Sequence, residues 1–330
     1  MTAGLVLEGG GMRGLYTAGV LDVFMEHGIE FDHAVGVSAG AAFGVNIKSR
    51  QAGRAIRYNK RFCADPRYAS MRNLLRAGDL YSVDFAYRTV PLELDPFDVE
   101  ALQANPMRFT VVCTDIVTGK AIYHDIERGD EEDLDWIRAS ASVPMLANPV
   151  RLDGHILLDG GIANSIPAMW MVRHGYDRNV AILTQPAGFR KEPNGLMPIL
   201  RLTLRKYPRL IELLANRHER YNAQLDDVAR LEAEGRLLVI RPSESVKAPI
   251  SVKDPEVLSA STRWVGATER RGLRMSSAIW REVCAGVMTT PSADAGMRRA
   301  RARWRARTPG VAAGHAWSAT VNPNAEVPRV

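Results

Sequence analysis

Cysteine is scarce in this chain, and the scarcity excludes two classes of protein. Cys63, Cys113 and Cys284 are far apart and odd in number among 330 residues. They form neither a disulfide framework nor a zinc-binding spacing, and they read as buried or inert thiols of a reducing compartment. No run of eighteen apolar residues occurs, so no transmembrane helix is expected. The first residues, Met1 to Glu8, carry no basic region and no long apolar stretch, so no signal peptide is expected and the cytoplasm is the default compartment. Calcium-ligand loops are absent, as are internal repeats and any Pro/Gly-rich linker before about residue 288.

An excess of one charge is also missing from most of the chain. The net charge is +6, but seven arginines and one acid (Glu326) lie between Arg298 and Val330, and the other 297 residues are balanced. Six of those arginines fall in 298–307, a run that suits an anionic membrane surface or nucleic acid. The Gly, Ala, Pro, Asn and Ser that follow Thr308 favour a solvated extension. Residues 288–330 therefore read as a basic, disordered tail, and nucleic acid is not an expected partner.

Hydrophobic residues make up 46% of the chain and charged ones 24%, enough for a sizeable core. Gly4 to Glu8 reads as a buried strand that stops at three glycines. An apolar helix follows over Leu15–Met25, then a strand over His33–Val37 that runs into Ser38, then small residues suited to a tightly packed helix. Strand, helix, strand, helix within fifty residues predicts parallel α/β topology. Residues 50–104 read as a mostly helical, polar cap region, with Leu74, Leu75, Leu80, Phe85 and Tyr87 as core rather than lipid-facing positions. Next come a hairpin, Phe109–Thr114 with Lys120–Tyr123, a helix from Glu131 to Ala141, and a strand, His155–Leu158, ending at Asp159. Strands at Val180–Thr184 and Leu237–Ile240 flank one long amphipathic helix, Pro208–Glu234, and a last helix is expected over Val257–Gly286. The pattern favours one catalytic domain, 1–287, whose part from 205 on is helical.

Gly36-Val37-Ser38-Ala39-Gly40 has the G-x-S-x-G form of a nucleophile elbow, with a strand before it and small residues after it. Gly36 and Gly40 leave room for the turn, and the Ala39 N–H can face an oxyanion. Gly9-Gly10-Gly11-Met12-Arg13-Gly14 presents a row of backbone N–H groups at a helix N-terminus. Gly9-x-Gly11-x-x-Gly14 also matches a dinucleotide fingerprint, but the acids that would serve it, Glu30 and Asp32, precede the second strand instead of ending it. A serine nucleophile needs a base. None of the seven histidines (27, 33, 124, 155, 174, 218, 315) ends a strand in a loop of small residues, and each reads as a surface or cap residue. Asp159 follows an apolar strand, where carboxylates at the carboxyl ends of parallel strands line a crevice, and Gly160-Gly161 admits other backbone close to it. A plain Asp-Gly-Gly turn is an equal reading of that motif.

The four phrases Gly9–Gly14, Gly36–Gly40, Ala139-Ser140-Ala141-Ser142-Val143-Pro144 and Asp159-Gly160-Gly161, in this order, resemble the bacterial patatin-like phospholipases. The resemblance continues through Ile162–Pro167, Leu183–Pro186 and Tyr221-Asn222 to Ile240–Pro242, and covers roughly 4–270. It implies an α/β three-layer sandwich with a mostly parallel central sheet. It also implies a Ser–Asp dyad, with Ser38 as nucleophile and Asp159 as base, an acyl–Ser38 intermediate, and an oxyanion hole from Gly9, Gly10, Gly11, Met12, Arg13 and Gly14 with Ala39. The expected substrate is a phospholipid or other fatty acyl ester met in peripheral contact with a membrane surface, with no metal and no cofactor. Arg13 has two equal readings, neutralising a substrate phosphate or holding its loop. A general carboxylesterase shares this chemistry, and a non-catalytic lipid-binding module shares the fold. Glu8 stands where many members carry Asp, and the arginine-rich end has no counterpart in the family. Neither departure touches the dyad.

Overall fold

The computed structural model describes residues 2–246 together with Lys253, Asp254 and Leu258. The tail from 288 and most of the helix expected over Val257–Gly286 lie outside the described residues.

Among the described residues eight strands form one sheet: β1 (Ala3–Leu7), β2 (His33–Val37), β3 (Arg108–Asp115), β4 (Ala121–Asp125), β5 (Val150–Leu152), β6 (His155–Asp159), β7 (Arg178–Ile182) and β8 (Leu237–Ile240). The order is β5-β6-β3-β2-β1-β7-β8, with β4 also paired to β3. β3, β2, β1, β7 and β8 are mutually parallel, whereas β4 and β6 run antiparallel to β3, and β5 antiparallel to β6. The central strands are buried over nearly their whole length, and β1 is apolar throughout, because helices cover both faces. Leu5 and Leu7 pack to one side with helices α1 (Gly14–Glu26), α2 (Ala39–Lys48) and α6 (Glu131–Ser140). Val6 packs to the other with α7 (Ala168–Arg173) and α10 (Arg217–Ala233). This is the expected three-layer α/β sandwich.

Between α2 and β3 the predicted helical region holds α3 (Arg54–Phe62), α4 (Met71–Ala77), a π-helical stretch (Phe85–Leu94) and α5 (Val99–Ala104). Leu75 is 83% exposed and not core, Leu80 is buried as expected and also lines a cavity, and half-buried Tyr87 faces the same cavity. Phe85 is core as expected. After α8 (Met197–Thr203), the single helix expected over Pro208–Glu234 is two, α9 (Pro208–Ala215) and α10, parted at Asn216. The break has a tertiary cause: it seats Arg217 and Arg220 on the carbonyls of Gly161 and Ile162.

β2 and β6 share one edge of β3, end to end. Residues 108 and 116 of β3 and its continuation donate to Asp32 O and Ile156 O, whereas Asp115 donates to Lys120 O at the β4 edge. Val37 of β2 pairs with Val112, and Asp159 of β6 pairs with the next residue, Cys113. The two strands approach from opposite directions, so the chain ends of both meet at one point. The strand before Asp159 is thus antiparallel, not one of the parallel set. Asp159 reaches the carboxyl end of the parallel strands because β3 outruns β2 by three residues.

Candidate active site

Ser38 sits at φ 55°, ψ −120°, a conformation that non-glycine side chains rarely adopt. Packing holds it there. A Cβ on Gly36 would lie 2.6 Å from Gly40 O, and one on Gly40 would lie 2.4 Å from Leu7 O. Only glycine lets β1, β2 and the start of α2 come this close. Ser38 O accepts the N–H groups of Ala41 and Ala42 at 2.9 Å each, so α2 starts at the elbow itself. Ser38 N donates to Ser140 Oγ at 2.9 Å, and Ser140 Oγ donates to Val112 O at 2.6 Å.

Val37 and Asp159 pair with the neighbouring β3 residues Val112 and Cys113, which brings the side chains of Ser38 and Asp159 together, and Gly161 N donates to Asp159 Oδ1 at 2.7 Å. Burial pushes the Asp159 carboxyl above its usual range, while the Ser38 hydroxyl, the Arg217 charge and the Gly161 N–H each act in the opposite sense. Asp159 N donates to Ser142 O at 2.8 Å, which ties β6 to the end of α6. A Cβ on Gly160 would sit 2.0 Å from Val112 O, so the turn after Asp159 closes directly on the β3 backbone.

Ser38 lies in the wall of a cavity of about 150 Å³, lined on one side by Gly11, Met12 and Ala39. The other side is supplied by α2, α3, the π-helical stretch and 141–147, and is mostly apolar: Phe43, Tyr58, Leu80, Val90, Leu146. Gly11 has φ +56° and opens a short 3-10 turn, Gly11–Arg13, that leads into α1. Gly9 packs on the Val37 carbonyl and the Ser38 Cβ, Gly10 packs on Thr184, and Gly14 packs on Ala39 and Phe43. Gly9, Gly10 and Gly14 shape the loop without lining the cavity.

Arg13 acts on Glu8. The Glu8 carboxyl is buried and accepts from Thr184 N at 2.6 Å and from the Tyr221 hydroxyl. Burial raises its proton affinity, and Tyr221, Thr184 and the Arg13 charge lower it. The family departure at Glu8 thereby joins β1, the end of β7 and α10.

No histidine lines the cavity among the described residues. His155 bonds Asp115 at 2.8 Å, and His124 stacks on Trp136. His33, expected at the surface, is fully buried between Thr110 and Tyr176 because it opens the central strand β2. Two positions were missed in sequence: Ser140, whose small hydroxyl inside Ala139–Pro144 was the available signal, and Arg217, which carried none.

A family model described as patatin-like phospholipase matches residues 5–171, and one described as a domain of unknown function, DUF6363, matches 207–261. Uncharacterized protein YjjU of Escherichia coli is 31% identical over 196 residues, covering 56% of this chain and 52% of YjjU. The uncharacterized NTE family protein Mb2594 of Mycobacterium bovis is 34% identical over 176 residues, covering 50% of this chain and 27% of that protein. Lysophospholipase NTE1 of Debaryomyces hansenii is 29% identical over 189 residues, covering 55% of this chain and 12% of its own. The matched part thus spans about half or less of these relatives. The crystal structure of VipD from Legionella pneumophila aligns with a TM-score of 0.40 at 14% identity, over 82% of this chain and 66% of VipD. The model that matches 5–171 begins in β1 and takes in the glycine loop, the Ser38 elbow and Asp159, and on that match the chain belongs to the patatin-like phospholipase family.

Proposed function

We propose that the protein is a serine lipid acyl hydrolase of phospholipase A or lysophospholipase type. The observation that carries this reading is the meeting of Ser38 and Asp159, brought together by adjacent register positions on β3, with Ser38 in the wall of an apolar-lined cavity. Asp159 accepts the Ser38 proton as Oγ attacks the ester carbonyl. The oxyanion is met by N–H groups of the Gly9–Gly14 loop and of Ala39, and the positive end of α1 adds to their field. The alcohol departs with the proton from Asp159 and leaves acyl–Ser38. Asp159 then takes a proton from water, hydroxide equivalent adds to the acyl carbonyl, and the fatty acid is released with Ser38 restored.

Family membership and the name of the yeast relative, a lysophospholipase, support the lipid class. The catalytic domain is read as 1–287, supported by the pairing of β8 with β7 and by the Tyr221–Glu8 bond. Peripheral membrane contact is supported by Met71 and Leu75, 61% and 83% exposed on α4, beside exposed Arg72 and Arg76 that make no ion pair among the described residues. The turn after α4, Asp79–Tyr81, lines the cavity. The test is turnover of p-nitrophenyl esters of increasing chain length and of a phospholipid panel by wild type, Ser38→Ala and Asp159→Asn. Both variants should lose activity by about a thousandfold or more. Equal rates in all three sink the dyad, and equal preference for short water-soluble esters converts the reading to a general carboxylesterase.

A further inference from the structure

Arg217 opens α10, outside the segment that carries Ser38 and Asp159 and inside the one matched by the domain of unknown function. Its Nε donates to Gly161 O at 2.7 Å. The point where a Cβ on Gly161 would stand is 3.0 Å from Asp159 Oδ1 and 3.2 Å from Arg217 Nη2. Guanidinium and carboxylate are therefore at most about 6 Å apart, near enough for an opposite charge to favour the ionised carboxyl. The missing side chain of Gly161 keeps the space between them open.

We propose that Arg217 is a positioning residue for Asp159, its guanidinium seated on Gly161 O so that the buried carboxyl is held in its charged, proton-accepting form. The inference rests on Asp159 being the base, and it assigns the helical extension a part in the chemistry.

The other groups around Asp159 do not supply this charge. Ser38 is neutral, and burial pushes both Cys113 of β3 and Tyr87 of the π-helical stretch up, so both stay protonated. Arg138 of α6 is tied to Asp135 at 3.1 Å, and the charge of Arg13 bears on Glu8, not on Asp159. Lys191 lies 4.9 Å over the Tyr221 ring and is itself pushed down to about 8 by burial and then by Arg217 and Arg13. Among the described residues, Arg217 is the cation whose field reaches Asp159.

The experiment compares full-length wild type, R217Q and R217K. Gln keeps an N–H for Gly161 O without the charge, and Lys keeps the charge. Two readouts are taken: the acid limb of kcat/KM for a p-nitrophenyl ester, and the titration of the Asp159 carboxyl carbon by NMR, assigned with D159N. R217Q should move both midpoints up by about one pH unit. Its kcat/KM should fall about tenfold on the acid side and recover at higher pH, while R217K stays with wild type. Should R217Q not fold, R217M serves as the charge-free form. An unmoved Asp159 midpoint in the charge-free form overturns the inference, as does a uniform loss of kcat/KM at every pH. The NMR midpoint needs no turnover, so a failure of the hydrolase reading, seen as S38A and D159N matching wild type, is separable from a failure of the coupling.

Discussion

Ser140 Oγ accepts the Ser38 backbone N–H at 2.9 Å while donating its own proton to Val112 O at 2.6 Å. One buried hydroxyl thus satisfies two backbone groups that the sharp turn at Ser38 and the ending of β2 leave without strand partners. Ser140→Ala removes both bonds, and each orphaned buried group costs about 1–3 kcal/mol. The strained elbow is also freer to relax, so kcat should fall about tenfold to a hundredfold with KM little changed. Chemical denaturation and steady-state kinetics on a soluble ester check the two effects. Wild-type kcat in S140A would falsify the role given to the hydroxyl.

Gly160 faces backbone, not a movable side chain. Its absent Cβ would stand 2.0 Å from Val112 O. Gly160→Ala should destabilise by about 3 kcal/mol and displace Asp159 from Ser38. Gly195→Ala is the control, since nothing lies within 4 Å of its added Cβ, and it should be near neutral. A urea midpoint for G160A that matches G195A contradicts the close approach.

The Asp159 carboxyl is buried and held above its usual range, so its charge opposes folding at neutral pH. Asp159→Asn should raise Tm by about 3 °C near pH 7 while abolishing turnover. The sign follows from linkage: the folded-state affinity for the proton is the higher one, so the wild type sheds this cost as pH falls toward the ordinary carboxylate range. The advantage of D159N should therefore shrink with acidification. A Tm difference independent of pH rules this account out.

His33 shows the opposite sign. Burial, and then Arg108, depress it from 6.5 to about 4. Its contribution is complete above pH 6.5 and is lost as pH falls from there through about 4, at most about 3 kcal/mol. His33→Gln keeps a partner for Thr110 and lacks the titration. Between pH 7 and pH 5 wild type should lose about 2 kcal/mol more than H33Q in urea unfolding. Parallel stability curves for the two proteins discount the effect.

On the hydrolase reading proposed above, the acyl chain enters the cavity and its wall limits chain length. Ala42 and Val90 line it with small side chains. Ala42→Phe should shift ester preference toward short chains, by about tenfold or more per lost pair of methylenes. A chain-length series on A42F and wild type reads the change directly, and an unchanged profile places the acyl chain elsewhere.

Local sequence determined the strand–turn–helix around Ser38 and the glycine loop before α1, because apolar runs, small residues and glycines specify such units within a dozen positions. It also set the succession of strands β1 to β4 along the chain, and its reading of the histidines agrees with a cavity that no histidine lines among the described residues. Three features waited for the tertiary structure. The direction of β6 depends on which edge of β3 remains open beyond Val37, a question of pairing that the run His155–Leu158 answers equally well either way. The break at Asn216 interrupts a continuous helical pattern because Arg217 and Arg220 find carbonyls on the turn after Asp159. Ser140 lies 102 residues from Ser38 in sequence and meets it only because α6 packs on β3 and β6. Periodicity encodes which face of an element is buried, whereas the partner that buries it is a property of the folded chain.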